Sequence, residues 1–252
     1  MQGLRVLLAR VKRKIFKKPF IKDKKYPPFW FNEFLEKENA FLVQIGSNDG
    51  KTGDPIFPLL KKNKTWKALF VEPVPSIFKK LKANYPDSQR FTFENVAINE
   101  GQSMSFYWVD PKAKETLTDL PYWFDQLGSF DKQHILKHFD GALEPYIRTE
   151  VLEGIKLTTL LLKNSVSVID VLHIDTEGYD WKILSQLELN QFAPKFIMFE
   201  QQHLSFADHQ EAIRFLSEKY CLFNSGIDML AVNKSCGTTF IDQMKKHMEV
   251  IK

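Results

Sequence analysis

The sequence predicts an α/β fold of the doubly wound type, in which helices cover both faces of a mostly parallel β-sheet. Two observations support this prediction. Apolar strand-like runs alternate with amphipathic helix-like segments over most of the 252 residues, and several of these runs end in Gly-rich or acidic turns. With 44% hydrophobic and 26% charged residues, the composition is typical of a globular protein. The length favours one large domain over two small ones.

Short apolar and β-branched runs locate the strands. They predict strands over residues 41–45, 68–71, 91–98, 104–109, 168–174 and 196–199, and a closing hairpin of 221–224 and 229–232 around Gly226. Apolar residues at helical spacing predict helices over 29–39, 76–85, 179–189 and 207–220, and a helix that begins at Asp54-Pro55. The order of these elements is the strand–helix–strand repeat of a doubly wound sheet.

Residues 110–150 interrupt this order and form a predicted insertion that is rich in aromatic residues and histidine. His134 and His138 within it have the i,i+4 spacing of paired zinc ligands. No Glu follows His134, however, and no third ligand is evident from the sequence. We therefore interpret the two histidines as a hydrated helix face and assign no metal ligand.

The first 25 residues are strongly basic, with ten Lys or Arg and a single acid, whereas the rest of the chain carries 25 basic and 30 acidic residues. A mildly acidic body excludes broad nucleic-acid binding. The basic arm also has an apolar stripe, which consists of Leu4, Leu7, Leu8, Val11 and Ile15. This pattern predicts an amphipathic helix that either makes a peripheral contact with an anionic membrane through residues 4–25 or packs on the domain.

The sequence also predicts where the protein resides and how it is divided. The sequence shows no secretory signal and has two cysteines, Cys221 and Cys236, which favours a cytoplasmic protein with reduced thiols. If the basic arm binds a membrane, the protein is expected to be peripheral to that membrane. An organellar import sequence stays open as an alternative interpretation of the arm.

The predicted divisions are a basic arm and linker over 1–28, a main domain over 29–237 and a tail over 238–252. Nothing indicates an oligomeric state.

The loop after the first predicted strand is glycine-rich and reads Gly46-Ser47-Asn48-Asp49-Gly50-Lys51-Thr52. A P-loop requires four residues between its first Gly and the Gly-Lys pair, and here there are three. The dinucleotide fingerprint fails as well, because its second and third Gly positions hold Asn48 and Lys51. A third interpretation is a loop for S-adenosylmethionine (SAM), which needs close backbone approach but no phosphate cradle.

Acidic residues follow two of the predicted strands. Glu72 stands 22 residues after Gly50, at about the spacing of acids that bind ribose hydroxyls in such sheets. Asp175 and Glu177 directly follow the apolar run 168–174, and Gly178 comes next. Ligands in open parallel sheets bind beyond the carboxyl ends of strands, so two acids at this place predict a site.

These motifs occur in the order found in the FkbM family of SAM-dependent methyltransferases, which the sequence resembles over residues 40–232. The matching blocks are 46–50, 71–73, 95–98 and 174–180, the last reading Ile-Asp-Thr-Glu-Gly-Tyr-Asp. The resemblance implies a Rossmann-like class I methyltransferase fold, with a seven-stranded, mostly parallel sheet whose antiparallel strand lies in the C-terminal hairpin. It also implies that the insertion over 110–150 covers the substrate, and that the reaction is O-methylation of a hydroxyl on a sugar, glycan or polyketide-like metabolite.

The resemblance also implies roles for residues on the cofactor side. The residues expected to line the methionine moiety of SAM are Gly46, Ser47, Asn48 and Gly50. Glu72 is expected to bind the ribose, and the residues expected to border the adenine are Asn95, Val96 and Ala97. The chain departs from the class at Gln44, where an acid is frequent two residues before the first Gly. This departure favours the rival interpretation, a non-catalytic binding module of the same fold that docks through its basic arm.

Catalysis requires a group that orients or deprotonates the acceptor hydroxyl. Asp175 is our first choice, followed by Glu177 and then by Glu200 and His203 after the next strand. Glu177 has an alternative role as a cap of the following helix. A less favoured variant places a divalent ion such as Mg²⁺ between Asp175 and Glu200.

Overall fold

The protein is represented by a computed structural model that describes residues 22–251. The amphipathic helix predicted for the basic arm, with its proposed membrane contact, therefore lies almost entirely outside the described residues. Among the helices of residues 22–251, none is both long enough and apolar enough to cross a lipid bilayer.

The described residues form strands and helices in alternation. The strands are β1 (Phe41–Ile45), β2 (Lys67–Val71), β3 (Phe91–Glu94), β4 (Ala97–Ile98), β5 (Ser103–Val109), β6 (Gly128–Ser129), β7 (Ile147–Ile155), β8 (Val171–Ile174), β9 (Phe196–Glu200), β10 (Tyr220–Ser225), β11 (Asp228–Asn233) and β12 (Glu249–Val250). The helices are α1 (Pro27–Leu35), α2 (Phe57–Lys62), α3 (Pro75–Asn84), α4 (Ala113–Thr116), α5 (Lys132–Leu136), α6 (Leu157–Lys163), α7 (Asp180–Leu184), α8 (Leu189–Phe192), α9 (Phe206–Ser217) and α10 (Thr238–Lys245).

The main sheet has eight strands in the order β12-β10-β11-β9-β8-β1-β2-β3. Strands β9, β8, β1, β2 and β3 are parallel to one another, and β11 runs antiparallel to β9 and β10. The predicted doubly wound order and the antiparallel closing hairpin are therefore present. The predicted strand number is wrong, because β12 adds an eighth strand and a second, four-stranded sheet of order β4-β7-β5-β6 lies beside the main one.

Helices cover both faces of the main sheet because the central strands are buried on both sides. Every residue of β8 and β9 is buried, which is the pattern of strands in the middle of an α/β sheet. One face of the sheet packs against α6, α7 and α9, and the other packs against α1, α2, α3 and α10. The two hydrophobic cores fix the strand ends, and with them the loops that carry the polar residues.

The insertion is built on an antiparallel ribbon that the sequence only partly indicated. Strand β5 leads away from the main sheet and β7 returns, with register pairs from Ser103↔Glu153 to Val109↔Ile147. The single strand predicted over 91–98 is divided at residues 95–96, where the chain passes from β3 in the main sheet to β4 in the second sheet. Strand β7 was not predicted because most of its residues are exposed and it lacks a clear apolar alternation.

The predicted tail folds back onto the domain. Ile241 and Met244 of α10 are buried in the same core as Trp30 of α1. Strand β12 then pairs with β10 through Phe223↔Val250 and Asn224↔Glu249. Residues 238–251 are therefore an integral part of the fold.

Candidate functional site

The turn after β1 is held tightly against the neighbouring strand. The backbone amides of Gly46 and Ser47 both donate to the carbonyl of Val71, at 3.0 and 2.9 Å. The hydroxyl of Ser47 donates to the carbonyl of Gln44 at 2.9 Å and accepts from the amide of Val71 at 3.1 Å. Ser47 is thus a cross-link between the ends of β1 and β2.

Gly46 allows this turn to approach the turn after β8. Its φ is +74°, and a Cβ atom at this position would lie 1.9 Å from the carbonyl oxygen of Asp175. Both the positive φ and the lack of space require glycine. The backbone of the β1 turn therefore contacts the backbone that carries Asp175.

Gly50, at the other end of this loop, contacts the region of helix α3 and not the turn after β8. A Cβ atom there would lie 2.5 Å from Cδ1 of Leu81 on α3, and the Tyr85 hydroxyl donates to the Gly50 carbonyl at 2.7 Å. Gly50 therefore packs against α3 and lines neither of the cavities described below.

Glu72 follows β2 and is only 4% exposed. Its two carboxylate oxygens accept from the backbone amides of Asn48 at 2.9 Å and Val74 at 2.8 Å. Burial disfavours the charged form and raises the pKa of Glu72 to about 7, although the two amides act in the opposite direction. Glu72 is therefore both a brace between two loops and a buried acid near its point of titration at neutral pH.

Asp180 lies at the end of the turn that follows β8. Asp180 is fully buried and accepts from the Thr176 hydroxyl at 3.0 Å, the Gly178 amide at 3.3 Å and the Glu200 amide at 3.2 Å. Burial raises its pKa to about 6. Asp180, which the sequence did not single out, thus holds the turn and ties it to the end of β9.

Glu177 is directed toward the insertion. Its φ is +55°, and its Oε2 lies 2.9 Å from Nε2 of His134 on α5 and 3.6 Å from Nε2 of His203. His203 Nε2 also lies 3.6 Å from Oε1 of Glu200. The carboxylates of Asp175, Glu177 and Glu200 each offer an oxygen within 4.8 Å of the others. All four predicted catalytic residues therefore lie close together.

Two cavities open at this edge of the sheet. The first, which we call the Glu72 cavity, has about 610 Å³ of space between atoms and is mostly apolar. Its walls include Gly46, Asn48, Val71, Glu72, Val74, Ile77, Val96, Ala97, Phe106, Phe130 and Tyr179. Asn95 is not in this wall, because its side-chain amide donates to the carbonyls of Glu72 and Pro73 at 2.8 and 2.9 Å.

The second, which we call the Gln44 cavity, has about 680 Å³ of space and is lined mainly by polar side chains. Its walls include Gln44, Ser47, Asp49, Thr52, Asp54, Trp123, His173, Asp175, Glu177 and Glu200. The Gln44 amide donates to Asp54 at 2.9 Å, and burial raises the pKa of Asp54. An acidic side chain, Asp54, therefore lies beside Gln44.

The two cavities meet at one shared wall. Gly46, Asn48, Gln126, Asp175 and Glu177 line both. The insertion contributes Trp123 to the Gln44 cavity, Phe130 to the Glu72 cavity and Gln126 to both, so it covers the cleft. Ligands in the two cavities would therefore meet beside Asp175, under the insertion.

A comparison with protein families gives a match to the methyltransferase FkbM domain over residues 44–224, which is more than half of the chain. The chain belongs to this family. The family implies that the protein is a methyltransferase, with SAM as the implied methyl donor. The match begins at Gln44 and ends within β10, so it includes the whole insertion, the walls of the Glu72 cavity and all of the Gln44 cavity walls except Ile227.

Several solved structures align with most of this chain at low sequence identity. A precorrin-6y C5,15-methyltransferase from Geobacter metallireducens is 11% identical, with 81% of this chain and 87% of that chain covered and a TM-score of 0.38. The human methyltransferase 10 domain containing protein is 11% identical, with 81% and 79% covered and a TM-score of 0.39. A fibrillarin from Methanococcus jannaschii is 10% identical, with 77% and 66% covered and a TM-score of 0.39.

Similarities at this level decide neither activity nor substrate. Among curated proteins, no sequence relative was found.

Proposed function

We propose that this protein transfers a methyl group from SAM to a hydroxyl of a sugar, glycan or polyketide-like metabolite. The observation that supports this most directly is the meeting of a mostly apolar cavity and an acid-lined cavity at Asp175 and Glu177. Methyl transfer requires a donor and an acceptor to be held in line, and most of its rate comes from that positioning. Two cavities with one shared wall fit this requirement.

The Glu72 cavity fits SAM in its chemistry. The carboxylate of Glu72 is an acceptor for ribose hydroxyls, Val96 and Ala97 offer an apolar surface for the adenine, and Gly46 and Asn48 border the methionine part. When bound, SAM supplies an electrophilic methyl group on a sulfonium sulfur.

The Gln44 cavity fits an acceptor that is rich in hydroxyl groups. Its own walls supply hydrogen-bond acceptors from Asp49, Asp54 and Glu200, and Trp123 offers an aromatic face for a sugar ring. Asp175 lies at the shared wall, where its carboxylate would accept the proton that the hydroxyl loses. Glu200 is the second candidate for this proton.

Binding of SAM by calorimetry tests the cofactor assignment. Glu72→Gln should weaken SAM binding about 10- to 100-fold, since hydrogen bonds to a charged acceptor are worth roughly 1.5–3 kcal/mol each. The control is Glu94→Gln, which removes an acid at the end of the adjacent strand β3 that lines neither cavity. A melting curve of each variant separates loss of the ligand contact from loss of the brace between the loops.

The outcomes separate this proposal from its rival. Equal affinity for SAM in wild type and Glu72→Gln would refute the role of Glu72 in ribose binding. Wild-type protein that folds but does not bind SAM at all would favour a non-catalytic binding module that docks through the basic arm.

A further inference from the structure

Two histidines from separate parts of the fold approach the same carboxylate oxygen of Glu177. His134 lies on α5 of the insertion, Glu177 lies in the turn after β8, and His203 follows β9. The Nε2 atoms of the two histidines lie 2.9 and 3.6 Å from Oε2 of Glu177, and a ligand atom of each residue lies within 4.8 Å of the other two. Of the three residues, Glu177 also lines the two cavities, whereas His134 and His203 line neither.

We propose that His134, Glu177 and His203 bind a divalent transition-metal ion, with zinc as the first candidate. Two imidazoles and one carboxylate are a donor set for zinc and similar metals, whereas Mg²⁺ and Ca²⁺ take oxygen ligands. Three ligand atoms around a tetrahedral zinc ion lie roughly 3.4 Å apart, given bond lengths of about 2.1 Å. The observed distances of 2.9 and 3.6 Å lie on either side of this value.

The surroundings also suit a cation. The side chains of His134, Glu177 and His203 are only 8%, 12% and 18% exposed, so charges interact there with little screening by water. The carboxylates of Asp175 and Glu200 form a second group with Glu177, in which each residue offers an oxygen within 4.8 Å of the others. Three carboxylates at this separation repel one another, and a divalent cation would offset that repulsion.

A second observation indicates that a ligand belongs next to this cluster. Gln44 is 2% exposed, and its Oε1 has no hydrogen-bond partner among the described residues. It lines the cavity that Glu177 also lines. Buried amide oxygens are nearly always paired, so an oxygen that the protein leaves unpaired in a cavity points to a polar ligand there. A metal with three protein ligands keeps a position open for such a ligand.

The site would have two consequences. Because His134 belongs to the insertion while Glu177 and His203 follow strands of the main sheet, a bound metal would fasten the insertion over the cleft. It would also lie next to the Gln44 cavity, where it could polarise a bound hydroxyl. The sequence spacing could not reveal the site, because Glu177 and His203 are 43 and 69 residues away from His134.

The test uses the full chain after dialysis against a chelator. Calorimetry with zinc alone should give one ion per chain, and zinc should raise the melting temperature because it binds the folded state. His134→Gln and His203→Gln should each weaken zinc binding by at least about 100-fold, as loss of a direct ligand exceeds the 10- to 100-fold effect of outer-shell changes. His247→Gln, at an exposed position after α10, is the matched control and should bind zinc as wild type does.

Several results would overturn the proposal. One is zinc affinity that is unchanged in both histidine variants, or reduced equally in His247→Gln. Another is binding of Mg²⁺ that depends on Asp175 but not on His134, which would move the site to the three carboxylates.

If a variant fails to fold, X-ray absorption of zinc-loaded wild type decides instead, since the proposal requires imidazole scattering from two ligands. None of these measurements uses a methyl acceptor, so failure of the metal site and failure of the proposed methyl transfer are distinguishable.

Discussion

The Glu72 cavity and the Gln44 cavity share a wall but differ in what the rest of their walls offers. Apart from the shared residues, the Glu72 cavity is bordered by apolar side chains such as Val74, Ile77 and Phe106, with Glu72 as its own acid. The Gln44 cavity instead has Asp49, Asp54 and Glu200. An apolar wall with one acid selects a ligand by shape and a single polar group, whereas several acids select a ligand that donates many hydrogen bonds.

The comparison also teaches that acids at neighbouring strand ends differ in whether backbone amides already engage their carboxylates. Glu72 and Asp180 are buried and serve mainly to hold loops through backbone amides, and burial raises the pKa of both. Asp175 and Glu177 are only partly buried and face the shared wall. The site therefore combines acids that position the backbone with acids that are accessible to a ligand.

The largest expected effect comes from the glycine that joins the two cavities. Gly46→Ala should lower the free energy of unfolding by more than about 4 kcal/mol, because the new Cβ would collide with a backbone oxygen at a positive φ. Gly226→Ala is the matched control, since φ is +81° there but nothing lies within 4 Å of the added Cβ. It should lose only about 1–2 kcal/mol, the strain of the left-handed conformation. Equal losses in urea unfolding would contradict the close contact between the two turns.

Replacement of the acid at the shared wall should affect turnover and leave donor binding intact. Asp175→Asn should reduce the rate of methyl transfer about 10²- to 10³-fold, within the range of general-base catalysis, with SAM affinity nearly unchanged. The rate is measured with methyl-labelled SAM and an acceptor found by screening hydroxylated sugars. Asp242→Asn, at an exposed position on α10, is the control. Normal turnover in Asp175→Asn would transfer the proton-accepting role to Glu200.

The smallest effect is a dependence of stability on pH that belongs to the Glu72 cavity. The unfolded chain releases the Glu72 proton near pH 4.5, whereas the folded protein keeps it until about pH 7. The contribution of Glu72 to stability should therefore fall as pH rises through this window, by about 3 kcal/mol, and stay low above it. Glu72→Gln should remove this part of the slope.

Asp180 also lowers the stability of the folded protein as pH rises between 3.8 and about 6. It is present in both wild type and Glu72→Gln, however. The difference between wild type and Glu72→Gln in unfolding titrations therefore isolates Glu72. Identical slopes would mean that the Glu72 cavity is wetter than its apolar walls indicate.

The sequence by itself determined the central strands, the closing hairpin and the loops that carry the site. Strand β1 has the predicted bounds because its apolar run is short, continuous and followed by glycine, and such local signals need no partner to be recognised. Glu72, Asp175 and Glu200 were indicated for a similar reason, since each directly follows an apolar run.

Tertiary structure decided the features that depend on a distant partner. Strand β7 is mostly exposed and becomes a strand through its pairing with β5, so its own residues gave no periodic signal. Asp180 rather than Glu177 holds the turn, because only the folded chain brings the Glu200 amide to its carboxylate. The meeting of His134, Glu177 and His203 likewise depends on how the insertion folds over the sheet. Hydrophobic periodicity is local and therefore visible in the sequence, whereas contacts between distant segments exist only after the core has fixed the strand ends.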